Sequence, residues 1–553
     1  MYVNKEKIPL FSFALIFIVG TTITLPNMGG YGLYLPSNNL VWLFSFLFIY
    51  VVLLKIIRDK KWQKPGNFLS GLFLLLLLAM PLLWDPIATN AGLFRIGAIL
   101  AGLVFYVCLF SVFNRDSEKN LLWIIFVAGL IQAIWAFLYF SFAEPPLLTG
   151  IFRQPNVMAS FLVSTYLVSL VLLRTSYWKT TKPPLASLIV FTVFAFLVGI
   201  IIFKLNSRTA YLCLLVSLPL LLLSLIDRSR YMWLSVVCLL IGLIVAAIDS
   251  NLLSVEQMGK RLAIGSADVS SGRWAIWEVS WTMLQDFFPF GIGYGNFEVL
   301  YHDYRAILYW HSGIEGAATV HHPHNEFMLW LIEGGFVAVV ALFAFTIYQL
   351  IRIAKKGRSA YPYVVLLLPL AIHAMLEYPF YQSTLHFILF LSLFFLTELN
   401  IAERQVTTVN NRIYHGALCH LSFFILSFFF LGNLLAIHKV RGFYNKDGDN
   451  RNVSAIEGIL NKSAVQRGVD YAIVNDMLAG LRLQPDAELL SEYLSHIDRM
   501  LLRSPRPELY IALMEGYKVV QDNESREKIK KIAHYYYPND NRFHNKTITI
   551  ENN

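Results

Sequence analysis

Apolar blocks long enough to cross a bilayer alternate with short polar turns along roughly the first 440 residues. A helix needs about 20 apolar residues to span the hydrocarbon layer. The pattern predicts spans near 8–25, 38–57, 68–84, 93–113, 121–142, 157–174, 185–204, 208–226, 231–248, 326–351, 361–376, 384–399 and 416–437. That is a bundle of about 13 transmembrane helices, an odd number, so the two termini are expected on opposite sides. The 361–376 block is short and bounded by proline, but omitting it would flip the tail and break the loop-charge pattern. The longest interruption runs from Asp249 to His324. Beyond Lys439 the chain turns charged, with amphipathic helical stretches at Val453–Leu460, Asp470–Leu483, Ala487–Leu502 and Leu509–Gln521, punctuated by Pro485, Pro505 and Pro507. The expected organisation is 1–248 as an N-terminal transmembrane bundle, 249–325 as a large loop, 326–438 as further transmembrane helices and 439–553 as a small soluble helical module. The module reads as a docking or scaffolding element of helix-hairpin type. No internal repeat is evident along the chain.

Composition agrees with this pattern. Of 553 residues 56% are hydrophobic and 15% aromatic, which excludes an ordinary soluble domain and makes the chain an all-α polytopic membrane protein. The net charge of +9 would suit nucleic acid, but the basic residues cluster in alternate loops and form no basic face. Lys55/Arg58/Lys60/Lys61/Lys64, Arg115/Lys119, Arg174/Lys179/Lys182, Arg228/Arg230 and Arg352/Lys355/Lys356/Arg358 mark one side. With the N-terminus and the 400–415 loop they hold roughly 20 Lys and Arg, against roughly 4 in the short opposite loops. The N-terminus is therefore expected in the cytoplasm, and the long loop and tail outside. Lys5 and Lys7 precede the first apolar run without a small-residue cleavage motif, so that run is read as a retained span. Trp42, Trp84, Trp123, Tyr177 and Trp178 lie at span ends, as interface anchors do. Cys108, Cys213, Cys238 and Cys419 all fall inside apolar spans, which suits neither a loop disulfide nor a zinc site.

The outward loops carry the polar residues that could support chemistry. They include Arg153-Gln154-Pro155-Asn156 before span six, Ser207-Arg208-Thr209 before span eight and Glu377-Tyr378-Pro379 after span eleven. In the large loop Ser270-Ser271-Gly272-Arg273-Trp274 leads into an amphipathic helix through Trp281, followed by the glycine-rich Gly291–Gly295 segment. His321-His322-Pro323-His324-Asn325-Glu326 closes the loop, placing three imidazoles at a water–lipid boundary. Bland roles compete with each. Arginines at helix ends snorkel to headgroups. The Gly291–Gly295 run lacks a phosphate loop's strand, helix and Lys-Ser/Thr, and reads as a turn. Three histidines this close fit a single metal poorly. His302, His311, His373 and His386 read as structural.

His322-Pro323-His324-Asn325, followed by an apolar helix with Glu333-Gly334-Gly335, resembles the signature of the O-antigen ligase and polymerase superfamily. Arg208 and Arg273 match arginines expected on either side of it. Leu25-Pro26, Leu35-Pro36-Ser37-Asn38-Asn39, Arg153–Asn156 and Glu377–Pro379 are similar to segments of the bacterial O-linking oligosaccharyltransferases of the PglL type. The Leu25–Asn39 loop departs from that group's usual form, which leaves open a narrower, pilin-specific subgroup. The resemblance covers about the first 440 residues. It implies a GT-C-type bundle in the bacterial inner membrane with a periplasmic site. It further implies an undecaprenyl-diphosphate-linked oligosaccharide donor, a Ser or Thr acceptor on a pilin or other periplasmic protein, and no metal or cofactor.

An acceptor hydroxyl needs a base, and imidazole is the side chain best matched to neutral pH. His324 is the expected base, with His322 as second candidate or orienting partner and Asn325 orienting ring or substrate. Arg208 and Arg273 are the expected diphosphate clamps. Arg153, Gln154 and Asn156 are expected to assist at the donor, and Glu377 and Tyr378 to support. Tryptophans and tyrosines of the large loop, among them Trp274, Trp277, Trp281 and Trp310, suit stacking on sugar faces. Three other activities compete: ligation onto lipid A-core, glycan polymerisation and, from another class, polyprenyl-glycan transport. A transporter should show mid-membrane polar residues and internal symmetry.

Overall fold

Each predicted span is a helix. The computed structural model describes residues 7–25, 29–83, 89–142, 149–174, 184–225, 228–249, 272–401, 405–408, 412–446 and 452–544. Several expectations lie outside them: those on Pro26, Trp84, Tyr177, Trp178, Lys179, Lys182, Ser270 and Ser271. The spans are α1 (Lys7–Thr22), α2 (Pro36–Asp59), α3 (Phe68–Ala79), α4 (Thr89–Val112), α5 (Glu118–Phe142), α6 (Pro155–Leu172), α7 (Leu185–Leu205), α8 (Arg208–Ser224) and α9 (Arg230–Asp249). After the large loop, with α10 (residues 272–287) and α11 (Phe297–Ser312), come α12 (Glu326–Lys356), α13 (Tyr361–Leu376), the single turn α14 (Pro379–Gln382), α15 (Thr384–Leu399) and α16 (Arg412–Tyr444). Among the described residues eight helices are long and apolar enough to cross a membrane, and five further apolar helices of 10–17 residues fill the remaining predicted blocks. The protein is an all-α polytopic membrane protein.

α6 is the bundle's centre. Every residue from Val157 to Leu172 is buried, against α5, α7, α8 and α13. Its hydroxyls stay inside by bonding their own helix, as Ser164 does to the Ser160 carbonyl (2.9 Å) and Thr165 to that of Phe161 (3.0 Å). Such back-bonding lets polar side chains sit in an apolar core without an unmet donor.

The loops sort by side as their charges predict. On the basic face β1 (Lys61–Lys64) and β2 (Gln405–Thr408) form an antiparallel pair that ties two loops more than 300 residues apart. Arg174 bonds Glu118 (3.2 Å) and Tyr363 (3.0 Å) there, and Arg352 bonds Glu398 (2.8 Å). The opposite face gathers the histidine loop, the starts of α2, α6 and α8, and the α13–α15 connection. Asn38 donates to the carbonyls of Gly32 and Gln382, both at 2.8 Å, closing that face across the bundle.

The tail differs from its outline in two respects. The boundary expected at 439 falls inside α16, which runs on to Tyr444 because Val440 and Phe443 are buried against the tail. The tail itself comprises α17 (Ser454–Glu457), α18 (Gln466–Leu483), α19 (Ala487–Leu501), α20 (Pro507–Val519) and α21 (Asn523–Tyr536), each of the last four packed on the next. Its last helix, α21, was not among the predicted stretches, and it folds back onto α11. Arg305 donates to the Tyr536 carbonyl, Trp310 Nε1 to that of Tyr535 (2.9 Å), and the His302 ring stacks on Tyr536 at 4.3 Å. That contact explains the buried His302, whose pKa burial and neighbouring Arg305 push down to about 3. Trp310 is anchored here, so its aromatic face serves the tail contact.

Candidate active site

α12 begins where it does because Asn325 caps it. The Asn325 side-chain oxygen accepts the Met328 amide (2.9 Å), the usual way a helix start satisfies an orphan N–H. Its amide nitrogen donates to the Met375 carbonyl at the end of α13 (3.0 Å). Asn325 therefore staples two spans at the rim. Both ends of its side chain are thus engaged, at the helix start and at the end of α13.

Directly before the cap, His324 has the left-handed backbone angle φ 52°. This sharp turn brings its backbone N–H onto Nδ1 of His322 (2.9 Å) and sets the two rings edge to face, 4.4 Å apart. Because Nδ1 of His322 accepts that bond, its neutral ring carries the proton on Nε2. His322 is only 7% exposed and packs on Tyr378 with ring centres 3.4 Å apart. Burial, reinforced by the two neighbouring histidines and Arg273, pushes its pKa down to about 2. It stays a neutral N–H donor, better suited to orienting a group than to taking its proton.

His324 is left with the acceptor. Its Nδ1 is buried and has no hydrogen-bond partner among the described residues. Burial lowers its pKa, Glu377 opposes that shift, and Arg273 adds to it. The result is a neutral imidazole with an uncommitted ring nitrogen at neutral pH, the state a general base needs.

Arg273, half-buried in the first turn of α10, acts electrostatically on both His322 and His324. Trp277, one turn further on, donates from Nε1 to the Pro323 carbonyl (2.8 Å) and so fixes α10 to the histidine turn. The indole is thus a strut, which its expected stacking role did not anticipate. Trp274 and Trp281 remain exposed beside it.

Glu377 is the hub of the opposite wall. This carboxylate is 4% exposed and accepts from Gln154 (2.6 Å), Asn156 (2.8 Å) and Gln382 (3.4 Å). Gln154 and Asn156 were expected to hold the donor; their amide groups instead hold Glu377, because a buried carboxylate needs several donors. The Asn156 oxygen in turn accepts the Ser207 hydroxyl (2.7 Å), and Ser207 caps α8 through the Ala210 amide (3.2 Å). Arg208, the next residue, stands exposed at the mouth of that helix. Arg153 is also exposed, at a left-handed position (φ 60°) beside Gln154. Hydrogen bonds thus run from the Arg208 loop through Asn156 to Glu377, the carboxylate whose charge reaches His324. Tyr378 covers His322; burial and the nearby Tyr31 and Glu377 keep its phenol protonated.

His321 departs from the cluster. Its Nδ1 donates to Glu298 (2.6 Å) and its Nε2 accepts from Arg506 of the tail (3.2 Å). Burial would raise the Glu298 pKa, but hydrogen bonds from His321 and Ser504 and the charge of Arg506 together hold it below its usual range. The three histidines therefore point to different partners. Among the described residues no group of three or more His, Cys, Asp or Glu is placed to hold a metal ion.

Two features were not legible in the motifs. Arg95, inside α4, pairs with Glu333 (2.5 Å) and lies 4.7 Å over both the Tyr294 and Tyr381 rings. Its signal was a lone arginine within an apolar span, which is expensive unless paired. Below Glu377, Ser160 bridges His373 Nδ1 (2.8 Å) and His386 Nε2 (3.1 Å), joining spans as the structural reading of these histidines expects. The Gly291–Gly295 run is a turn, as expected: Ile292 and Gly293 donate to the Ile332 and Glu333 carbonyls (2.8 and 3.0 Å) where α12 breaks at Gly335.

Two family profiles match parts of the chain. Residues 191–343 match a family profile described as O-antigen ligase. Residues 363–549 match one described as virulence factor membrane-bound polymerase, C-terminal. The first match contains Arg208, Arg273 and His324, and the second contains Glu377 and most of the tail. No curated protein matches the chain. Together the two profiles support a place in the O-antigen ligase and polymerase superfamily and point to a glycan-transferring membrane enzyme.

Proposed function

We propose that the protein transfers a preassembled glycan from an undecaprenyl-diphosphate carrier to a Ser or Thr hydroxyl of a periplasmic acceptor protein such as a pilin. The observation that carries this reading is the neutral His324, whose Nδ1 has no partner among the described residues, with the charge of Arg273 acting on it and a second arginine on the linked rim. In this scheme His324 removes the hydroxyl proton as the oxygen attacks the anomeric carbon. The anomeric C–O bond to phosphate breaks, and the carrier diphosphate leaves against Arg273 and Arg208. A single displacement inverts the anomeric centre. The basic face would lie in the cytoplasm and the histidine face in the periplasm, in keeping with the distribution of Lys and Arg.

A second reading is favoured by the polymerase profile over the last third of the chain, in which the acceptor is another lipid-linked glycan. Purified protein given lipid-linked donor with a pilin acceptor and a lipid-linked acceptor in parallel separates the two. Intact-mass analysis should find glycan on the pilin. Growth of the lipid-linked chain alone would replace protein glycosylation by polymerisation.

Two kinetic results are expected. Arg273→Ala should lower kcat/KM for the donor by about tenfold to a hundredfold, since a charged hydrogen bond contributes about 1.5–3 kcal/mol. The His324 pKa is lowered, so its base form is already populated at pH 7. The rate should therefore be flat through neutrality and fall only below the ordinary histidine value of 6.5. An acid limb above that value would contradict the assignment of His324.

A further inference from the structure

A cavity of about 330 Å³ lies between the tail and the histidine face, separated from His322 by the ring of Tyr378. Its walls come from distant parts of the chain: Tyr31 and Tyr34 before α2, Arg95 and Glu333 at the base, and Arg467, Tyr471 and Arg506 from the tail. Its carboxylates are already supplied with donors. Glu298 holds His321, Ser504 (2.5 Å) and Arg506 (3.6 Å). Glu333 holds Arg95 and the amides of Gly295 (3.0 Å) and Phe297 (3.2 Å). Asp470 holds Gln466 (2.7 Å), His496 (3.4 Å) and Arg503 (3.6 Å).

Donors remain in excess. Arg467 forms no ion pair among the described residues; its hydrogen bond goes to the Ser504 hydroxyl at 3.3 Å. Arg506 gives its Nε to the same oxygen (3.1 Å) and an Nη to His321. A half-buried guanidinium without a carboxylate among the described residues, in a cavity lined by tyrosines, calls for a ligand rich in acceptors and carrying negative charge. The cavity sits at the small end of the range for bound small molecules, which suits one or two sugar rings and excludes a folded peptide segment. Aromatic walls with hydroxyl edges suit a sugar, which offers both an apolar ring face and polar rim groups.

We propose that this cavity binds a carboxylate-bearing sugar of the donor glycan, with Arg467 as its anchoring cation and Tyr31, Tyr34 and Tyr471 as its walls. The assignment rests on the glycan-transfer reading above and extends it, since it makes the tail part of donor recognition. A uronic acid placed here would leave the neighbouring sugar beside Tyr378 and His322, on the way to His324.

The test uses the full chain in lipid nanodiscs, with methyl glucuronide and methyl glucoside as probes and binding read by saturation-transfer NMR. The glucuronide should bind about tenfold more tightly, and Arg467→Ala should erase that preference, as expected for loss of one charged contact. Arg467→Lys should retain part of it, which separates a lost contact from a misfolded tail. Equal binding of both sugars, or an unchanged preference in Arg467→Ala, overturns the proposal. So does displacement of the glucuronide by a short Asp-Gly peptide at lower concentration than by glucuronide itself, which would give the cavity to the acceptor. None of these readouts involves turnover. Failure here leaves the transferase reading standing, and that reading falls separately if His324→Ala still makes product.

Discussion

His324→Ala should lower glycan transfer by about 10² to 10⁴-fold, the usual contribution of a positioned general base, while the protein still inserts and folds. Three features of the site lead to this expectation. The ring nitrogen Nδ1 has no partner among the described residues, the ring is neutral at pH 7, and His322 cannot substitute because its Nδ1 is occupied by the His324 backbone. The supports of the turn, from Trp277 to the Pro323 carbonyl and from Asn325 to Met328 and Met375, do not use the imidazole. One complication is physical: His324 has positive φ, where alanine is strained by roughly 1–2 kcal/mol. Asparagine tolerates that region and is no base, so His324→Asn should be as inactive as His324→Ala with a less disturbed backbone. Activity in His324→Asn near that of the unaltered protein would remove the base from this residue.

Gly335→Val should be the most damaging single change to folding. Gly335 interrupts α12 with φ 73° and ψ −173°, a backbone region essentially reserved for glycine. A Cβ there would collide with the Phe290 carbonyl and lie 2.5 Å from that of Pro289. These are backbone atoms of the turn whose bonds to Ile332, Glu333 and Phe336 hold the large loop on α12. Strain alone costs about 1–3 kcal/mol, and relieving the collision must break some of those bonds. The expected readout is a clear fall in the melting temperature of the detergent-solubilised protein, with loss of transfer as the loop carrying Arg273 detaches. A variant with unchanged melting behaviour would mean that the break in α12 is not needed.

The span pattern was legible because burial in lipid imposes one rule on every crossing, an unbroken apolar run with its backbone bonds satisfied inside the helix. Thirteen such runs could be read without knowing any contact. Sidedness was legible for a related reason, since Lys and Arg placement marks one face, and β1–β2 and Arg174–Glu118 fall on that face together. The histidine turn stood out because three imidazoles fall within four positions at the start of a span. The hydrogen-bond partners of the amides were not legible. Gln154, Asn156 and Asn325 are polar residues near the site, and nothing in their spacing says that a buried Glu377 and a helix end would claim them. The folded-back tail was equally hidden, because its partners on α11 are more than 200 residues away in sequence.

The sequence by itself determined which segments form the apolar helices, that the histidines close the large loop, and that a charged helical tail follows the last of those helices. Those are properties of composition and local periodicity, which each segment expresses alone. Only the tertiary structure decided which imidazole of the histidine turn keeps a buried ring nitrogen without a partner among the described residues, which amides brace Glu377 and how the tail lines a cavity over the histidine face. A hydrogen-bonding group's role depends on what remains after its neighbours have taken their share, and those neighbours are set by packing of segments far apart in the chain.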